Sequence, residues 1–199
     1  TASNPGGDPP WRKQFADGLR FILANTQLKT LWFLSTFMGM CMSIATASFV
    51  LYLVDRLHLP EAFFGVFLLT GAVGGIGASM ITARLKVRWG TGLSVAVANV
   101  VASLAIVVSG AFPNLWVVGI AWTVASGSIT VWNILIMSFR QSIIPGRLLG
   151  RIHGTWRTLL WGSMPVGAII GGLIGRIDLT LPFLIGGGLS AVAGIIWFR

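Results

Sequence analysis

The sequence predicts an all-α membrane protein of six transmembrane helices. Three observations predict it: hydrophobic residues make up 55% of the chain, charged residues only 10%, and the apolar residues fall into six long runs. A soluble domain carries about a quarter charged residues to cover its surface, and this chain has too few. Each crossing of the hydrocarbon core takes roughly 20 apolar residues, so a chain of 199 residues with short connections holds about six.

Residues 1–10, polar and rich in Pro and Gly, read as a flexible linker and lack the charged start and apolar core of a secretory signal. The chain begins with Thr1 rather than Met, so an upstream part is expected to be missing. Residues 11–29 read as an amphipathic helix with Trp11, Phe15, Leu19, Ile22 and Leu23 on one face, accompanied by Arg12, Lys13, Arg20 and Lys29. Such a helix is expected to lie at the cytoplasmic surface with its apolar side in the headgroup boundary. Residues 30–199 form the bundle, with spans at about 31–54, 63–83, 92–112, 115–138, 154–175 and 180–198. The second and fifth are rich in Gly, and the pair Gly71 and Gly75 and the run Gly167, Gly171 and Gly175 mark faces where helices pack closely.

A formal charge of +9 suggests a nucleic-acid partner only if the cations cluster on a solvated face. Here they stand between apolar runs, as the positive-inside rule requires, and the partner they imply is a lipid bilayer. Arg12, Lys13, Arg20 and Lys29 precede the first span, Arg84, Lys86 and Arg88 join the second and third, Arg140, Arg147 and Arg151 join the fourth and fifth, and Arg199 ends the chain. The other side carries Arg56 and Arg176, each near an aspartate, Asp55 or Asp178. Both termini are therefore expected to be cytoplasmic.

All five acidic residues, Asp8, Asp17, Asp55, Glu61 and Asp178, fall in connections or the N-terminal segment. No carboxylate pair is placed for buried acid/base work, so neither catalysis nor a cofactor is expected. His58 and His153 lie at segment ends without the companions of a metal site, and Cys41 stands alone in an apolar run.

Polar residues inside spans are more informative, because in hydrocarbon they face the protein interior or a wet cavity. Thr123, Ser126, Thr130 and Asn133 share one face of the fourth span, and Ser35, Gly39, Ser43 and Thr46 share one face of the first. Both stripes are candidates for a solute cavity, with interhelical packing as the alternative. Arg157 lies about 9 Å beyond Arg151 along a helix, where it either lines the cavity or snorkels to the headgroups. Trp132 and Trp161 are candidates for stacking on a ligand, and Trp156 for the interfacial aromatic belt.

From residue 133 to 172 the string NILIMSFRQSIIPGRLLGRIHGTWRTLLWGSMPVGAIIGG resembles the major facilitator superfamily, particularly the branch of enterobactin exporters and macrolide efflux proteins. The resemblance rests on Arg140-Gln141, Ile144-Pro145, Leu149-Gly150-Arg151, Arg157, Trp161-Gly162, Pro165-x-Gly167 and Gly171-Gly172. It implies that the chain is the C-terminal half of a twelve-helix fold whose two halves enclose a solute near the midplane. The first and fourth spans would then line the cavity, with Ser43, Thr46, Ser126, Thr130, Trp132, Asn133, Arg157 and Trp161 as candidates. The fifth span, with Pro165, resembles the Gly/Pro-rich antiporter helix. Arg84, Arg88 and Gly90 match the superfamily's short basic connection, although Val87 stands where an Asp is usual, and Arg140, Gln141 and Arg151 are further candidates at the cytoplasmic gate.

What the resemblance implies is secondary active transport, with efflux of a small drug-like or siderophore-like amphipath across the bacterial cytoplasmic membrane. The implied partners are an N-terminal six-helix half, the solute and protons. A self-contained six-helix channel or facilitator acting as a homo-oligomer is the alternative.

Overall fold

The computed structural model describes residues 11–197, and their regular structure is helical throughout. Residues 1–10 and Arg199, to which the sequence assigned a linker and a cytoplasmic end, lie outside them. The order is α1 (Trp11–Ala24), α2 (Thr26–Thr46), a short α3 (Phe49–Leu51) running into a π turn at Tyr52–Arg56, α4 (Phe64–Ala111), α5 (Leu115–Ile143), α6 (Gly146–Gly175) and α7 (Leu181–Trp197).

The amphipathic segment ends at Ala24 rather than at Lys29. Asn25 takes an extended conformation and its Oδ1 accepts the N–H of Leu28 at 3.1 Å, so residues 26–29 open the next helix. Nor is the apolar face of α1 left wholly to the headgroups, because Gly18 and Ile22 are buried and the helix packs on the start of α6. Gly18 permits that approach: a Cβ there would run into Thr155 and stand 3.2 Å from the Arg151 carbonyl. Trp11 and Leu23 stay exposed.

Helix α4 doubles back on itself at Gly90, whose φ of 76° and ψ of 168° belong to a region that only glycine adopts without strain. Ser94 Oγ donates to the Leu85 carbonyl at 3.1 Å across the bend. The basic connection is therefore not a loop: helix runs to Trp89 and resumes at Thr91, with Arg84 and Arg88 exposed just before the turn. Lys86 Nζ reaches over the end of α5 to Ser138 Oγ at 3.5 Å. A Cβ at Gly90 or at Gly92 would meet nothing within 4 Å, so exchange to alanine isolates the backbone term. Gly90→Ala is expected to cost about 1–3 kcal/mol, whereas Gly92→Ala, inside regular helix, is expected to gain up to about 1 kcal/mol. Denaturant midpoints of the two variants in detergent measure the difference.

Glycines set the helix pairs. α6 lies on α2 through one ridge: a Cβ on Gly167 would be 3.0 Å from Ser43 Cβ, one on Gly171 2.8 Å from Ile44 Cα, and one on Gly175 3.2 Å from Ser48 Cβ. The first half of α4 lies on α5 in the same manner. There a Cβ on Gly71 would be 2.8 Å from Ser126 Oγ, one on Gly75 3.2 Å from Thr130 Oγ1, and one on Gly127 2.9 Å from the Gly74 carbonyl oxygen. α7 packs on α2 and on the second half of α4, with Gly186 against Ala45 and Gly187 against Val107.

Two apolar clusters result. One, around Leu28, Trp32, Val95, Leu135, Ile152 and Trp156, joins the start of α2 to the end of α5 and the start of α6. The other, around Phe49, Tyr52, Phe67, Ile106, Val118 and Phe183, lies at the opposite end. Among the exposed apolar faces are that of Trp161, Val166, Ile169 and Leu173 on α6, and that of Val66, Leu69, Val73, Ile76 and Met80 on the first half of α4.

Candidate functional site

α5 and α6 follow one another in the chain but stand apart, and the space between them is a cleft of about 970 Å3. α2 contributes Ser35, Met38, Gly39 and Met42 to its floor, the second half of α4 contributes Asn99 and Ser103, and α7 contributes Ser190. α5 brings Ser128, Trp132, Asn133, Met137, Arg140 and Gln141, and α6 brings His153, Trp156, Arg157, Leu160, Trp161 and Met164. A side pocket of about 370 Å3 shares Met38, Asn99, Trp132 and Ile136 with the cleft and runs between α2, α4, α5 and α7.

Of the sequence-derived candidates, Trp132, Asn133, Arg140, Gln141, Arg157 and Trp161 meet in this cleft. Ser43, Thr46, Ser126 and Thr130 are not among the residues that line it. Ser43 Oγ donates to the Met164 carbonyl at 2.7 Å and ties α2 to α6. Thr46 donates to the Met42 carbonyl and Thr130 to the Ser126 carbonyl, each at 2.9 Å within its own helix. Ser126 and Thr130 face the Gly71 and Gly75 ridge of α4. A hydroxyl that bonds back to its own turn can also pack against a neighbouring helix, as Thr130 does, whereas Ser35 and Gly39 of the first stripe line the cleft.

The aromatic and cationic residues are arranged in pairs. The Arg140 guanidinium lies 4.7 Å from the centre of the Trp156 ring, and that of Arg157 lies 4.4 Å from Trp161. Trp156 is buried, so it belongs to the cleft wall and not to an interfacial belt. Arg157 is likewise a cleft residue, its guanidinium held over Trp161. Arg151 is half-buried under α1, where its carbonyl accepts Thr155 Oγ1 at 3.1 Å. Pro165, inside α6, has no N–H to offer the Trp161 carbonyl, which leaves that turn looser beside the cleft.

Sequence reasoning passed over Asn99, Ser103 and Ser190. Asn99 Nδ2 donates to the Ser190 carbonyl at 3.3 Å, and Ser103 bonds the Ser190 hydroxyl at 2.9 Å. Two buried polar positions at i and i+4 on one apolar run were a readable signal. His153 also lines the cleft instead of standing at a solvated helix end. At the opposite end of the bundle, the hydroxyl and N–H of Thr180 donate to Asp178 at 2.6 and 2.7 Å and hold that exposed carboxyl below the usual carboxylate range.

A cleft walled by Met, Trp and Leu with a few convergent polar groups suits an amphipathic molecule. Residues 11–199 match the family described as transmembrane secretion effector. The chain belongs to that family. Transmembrane secretion effectors are a branch of the major facilitator superfamily, and within it this chain is similar to two curated relatives, each called Enterobactin exporter EntS. They come from Escherichia coli O1:K1 / APEC and Escherichia coli O45:K1 (strain S88 / ExPEC), and each is 27% identical over 165 residues, 81% of this chain. The chain spans 38% of the length of these relatives. No solved structure matches it.

Proposed function

We propose that this chain is one six-helix half of a secondary transporter that exports a small amphipathic molecule across the bacterial cytoplasmic membrane, driven by an ion gradient. The observation that carries the reading is the cleft between α5 and α6, beside which α6 exposes an apolar face; the first half of α4, packed on α5, exposes another. Alternating access needs two bundles that rock about a shared site, and a second six-helix half seated on those faces would complete the cleft. Its apolar walls would hold the body of the solute, and Asn133, Gln141 and the arginines its polar groups.

The orientation that fits this reading puts Arg84, Lys86, Arg88, Arg140 and Arg151 at the cytoplasmic end, together with both termini. No Asp or Glu lines the cleft among the described residues. Proton coupling would therefore run through carboxylates of the second half.

Asn133→Leu tests the cleft as the solute path. In a transporter that joins this chain to its second half, the exchange removes an amide that can bond the solute, a loss of about 1–1.5 kcal/mol, and is expected to lower uptake into inverted vesicles about tenfold. Val124, exposed on α5, is the control, and Val124→Leu should leave uptake unchanged. Equal effects of the two exchanges would count against the cleft.

A further inference from the structure

Among the described residues, the cleft carries cations without counter-charges. Arg140, Arg157 and His153 all line it, and the two arginines lie close enough for their charges to repel. Of the acidic residues within the described segment, Asp17 sits on α1, and Asp55, Glu61 and Asp178 lie in or beside the connections at the far end; none reaches the cleft lining. Arg140 is half-buried and Arg157 exposed at the cleft, and an anion brought between two neighbouring cations relieves their repulsion.

The geometry of the guanidiniums suits that anion. Each is held over an indole, Arg140 over Trp156 and Arg157 over Trp161, a contact that positions the cation and uses none of its N–H donors. Arg140 Nη2 reaches Met137 Sδ at 3.4 Å, a weak acceptor, and its buried Nε–H has no acceptor among the described residues. A carboxylate or phosphate oxygen in the cleft would give the Arg140 guanidinium a strong acceptor in place of the Met137 sulfur. The same tryptophans, with Trp132 and the side pocket beyond it, offer an apolar bed next to the charged group.

Resting on the transport reading above, we propose that this cleft selects solutes in which a carboxylate- or phosphate-type anion is attached to a flat apolar body, with Arg140 and Arg157 holding the anion. The test is calorimetric titration of the purified chain in an uncharged detergent with naphthalene-2-carboxylate and with its neutral amide. Arg140→Gln and Arg157→Gln are each expected to weaken the carboxylate about tenfold or more, the loss of a charge-assisted hydrogen bond, and to leave the amide unchanged. Arg157→Lys, which keeps the charge but not the planar fork, should recover part of the loss, and helix content and elution profile show that each variant is folded.

Carboxylate and amide responding alike to the arginine exchanges would overturn the proposal. So would displacement of the naphthoate by short-chain phosphatidylglycerol at lower concentration, which would assign the site to a lipid headgroup. Loss of naphthoate binding when the second half is joined would do the same, by giving the arginines a carboxylate of that half. The two readings fail separately. Charge-selective binding with no transport by the joined protein would sink transport alone, whereas transport that depends on Asn133 without charge selectivity would sink the anion site alone.

Discussion

Gly171→Leu is expected to destabilise the bundle by about 3 kcal/mol or more, at the upper end of what overpacking costs, or to prevent recovery of a monodisperse protein. A Cβ at that position would stand 2.8 Å from the Ile44 Cα and 2.9 Å from the Ala47 Cβ, with the Ile44 carbonyl closer still. These are mostly main-chain atoms, which cannot rotate away, so α2 and α6 must separate along the whole ridge that Gly167 and Gly175 share. In a membrane no hydrophobic drive holds two helices together, and close backbone approach is most of what does. The neighbouring residue is the control. Gly172 has open space around its position, and Gly172→Leu is expected to change stability by no more than about 0.5 kcal/mol. Denaturant midpoints in detergent that fall equally for both would show that the α2–α6 contact contributes little.

The second large effect is all-or-none. Purified and reconstituted alone, this chain is expected to enter liposomes as a helical bundle and yet to give no saturable, gradient-driven uptake; joined to its second half, it is expected to transport. Each helix satisfies its own backbone hydrogen bonds, and the glycine ridges pair the helices without outside help, so insertion needs no partner. Alternating access does, because one wall of the cleft would be absent. Left open, the polar cleft around Asn133 and Arg157 favours association of one copy with another. Saturable uptake by the chain alone would overturn the half-transporter reading in favour of a homo-oligomeric facilitator.

How much of this was legible in the sequence depends on the kind of signal. Hydropathy locates apolar helices because length and composition suffice for that, and the glycine spacing on α4 and α6 found the packing ridges because small residues at i and i+4 have few other uses in an apolar helix. The stripe of Thr123, Ser126 and Thr130 left cavity and packing open, since periodicity says that residues share a face and not which neighbour the face meets. What separates them from Asn133 is local chemistry. Thr123 donates to the Gly119 carbonyl at 2.9 Å and so hides its polarity in its own turn, which an amide cannot do as cheaply. Arg140 and Trp156 were readable only as a helix end and an aromatic belt, because their pairing across the connection at Pro145 depends on how α5 and α6 diverge. The end of α1 at Ala24 turned on a single residue, Asn25, whose capping role was available from sequence.

The bend at Gly90 also bears on how the chain fits the membrane. The 48 residues of α4, drawn out as one helix at 1.5 Å per residue, would be about 72 Å long, more than twice the roughly 30 Å of hydrocarbon available. A straight rod of that length has no place in a bilayer. The bend folds the two halves into a hairpin with Arg84, Lys86 and Arg88 beside its tip, and each half is then short enough to fit the hydrocarbon. One residue's freedom of φ thus does the work that a loop does between other membrane helices.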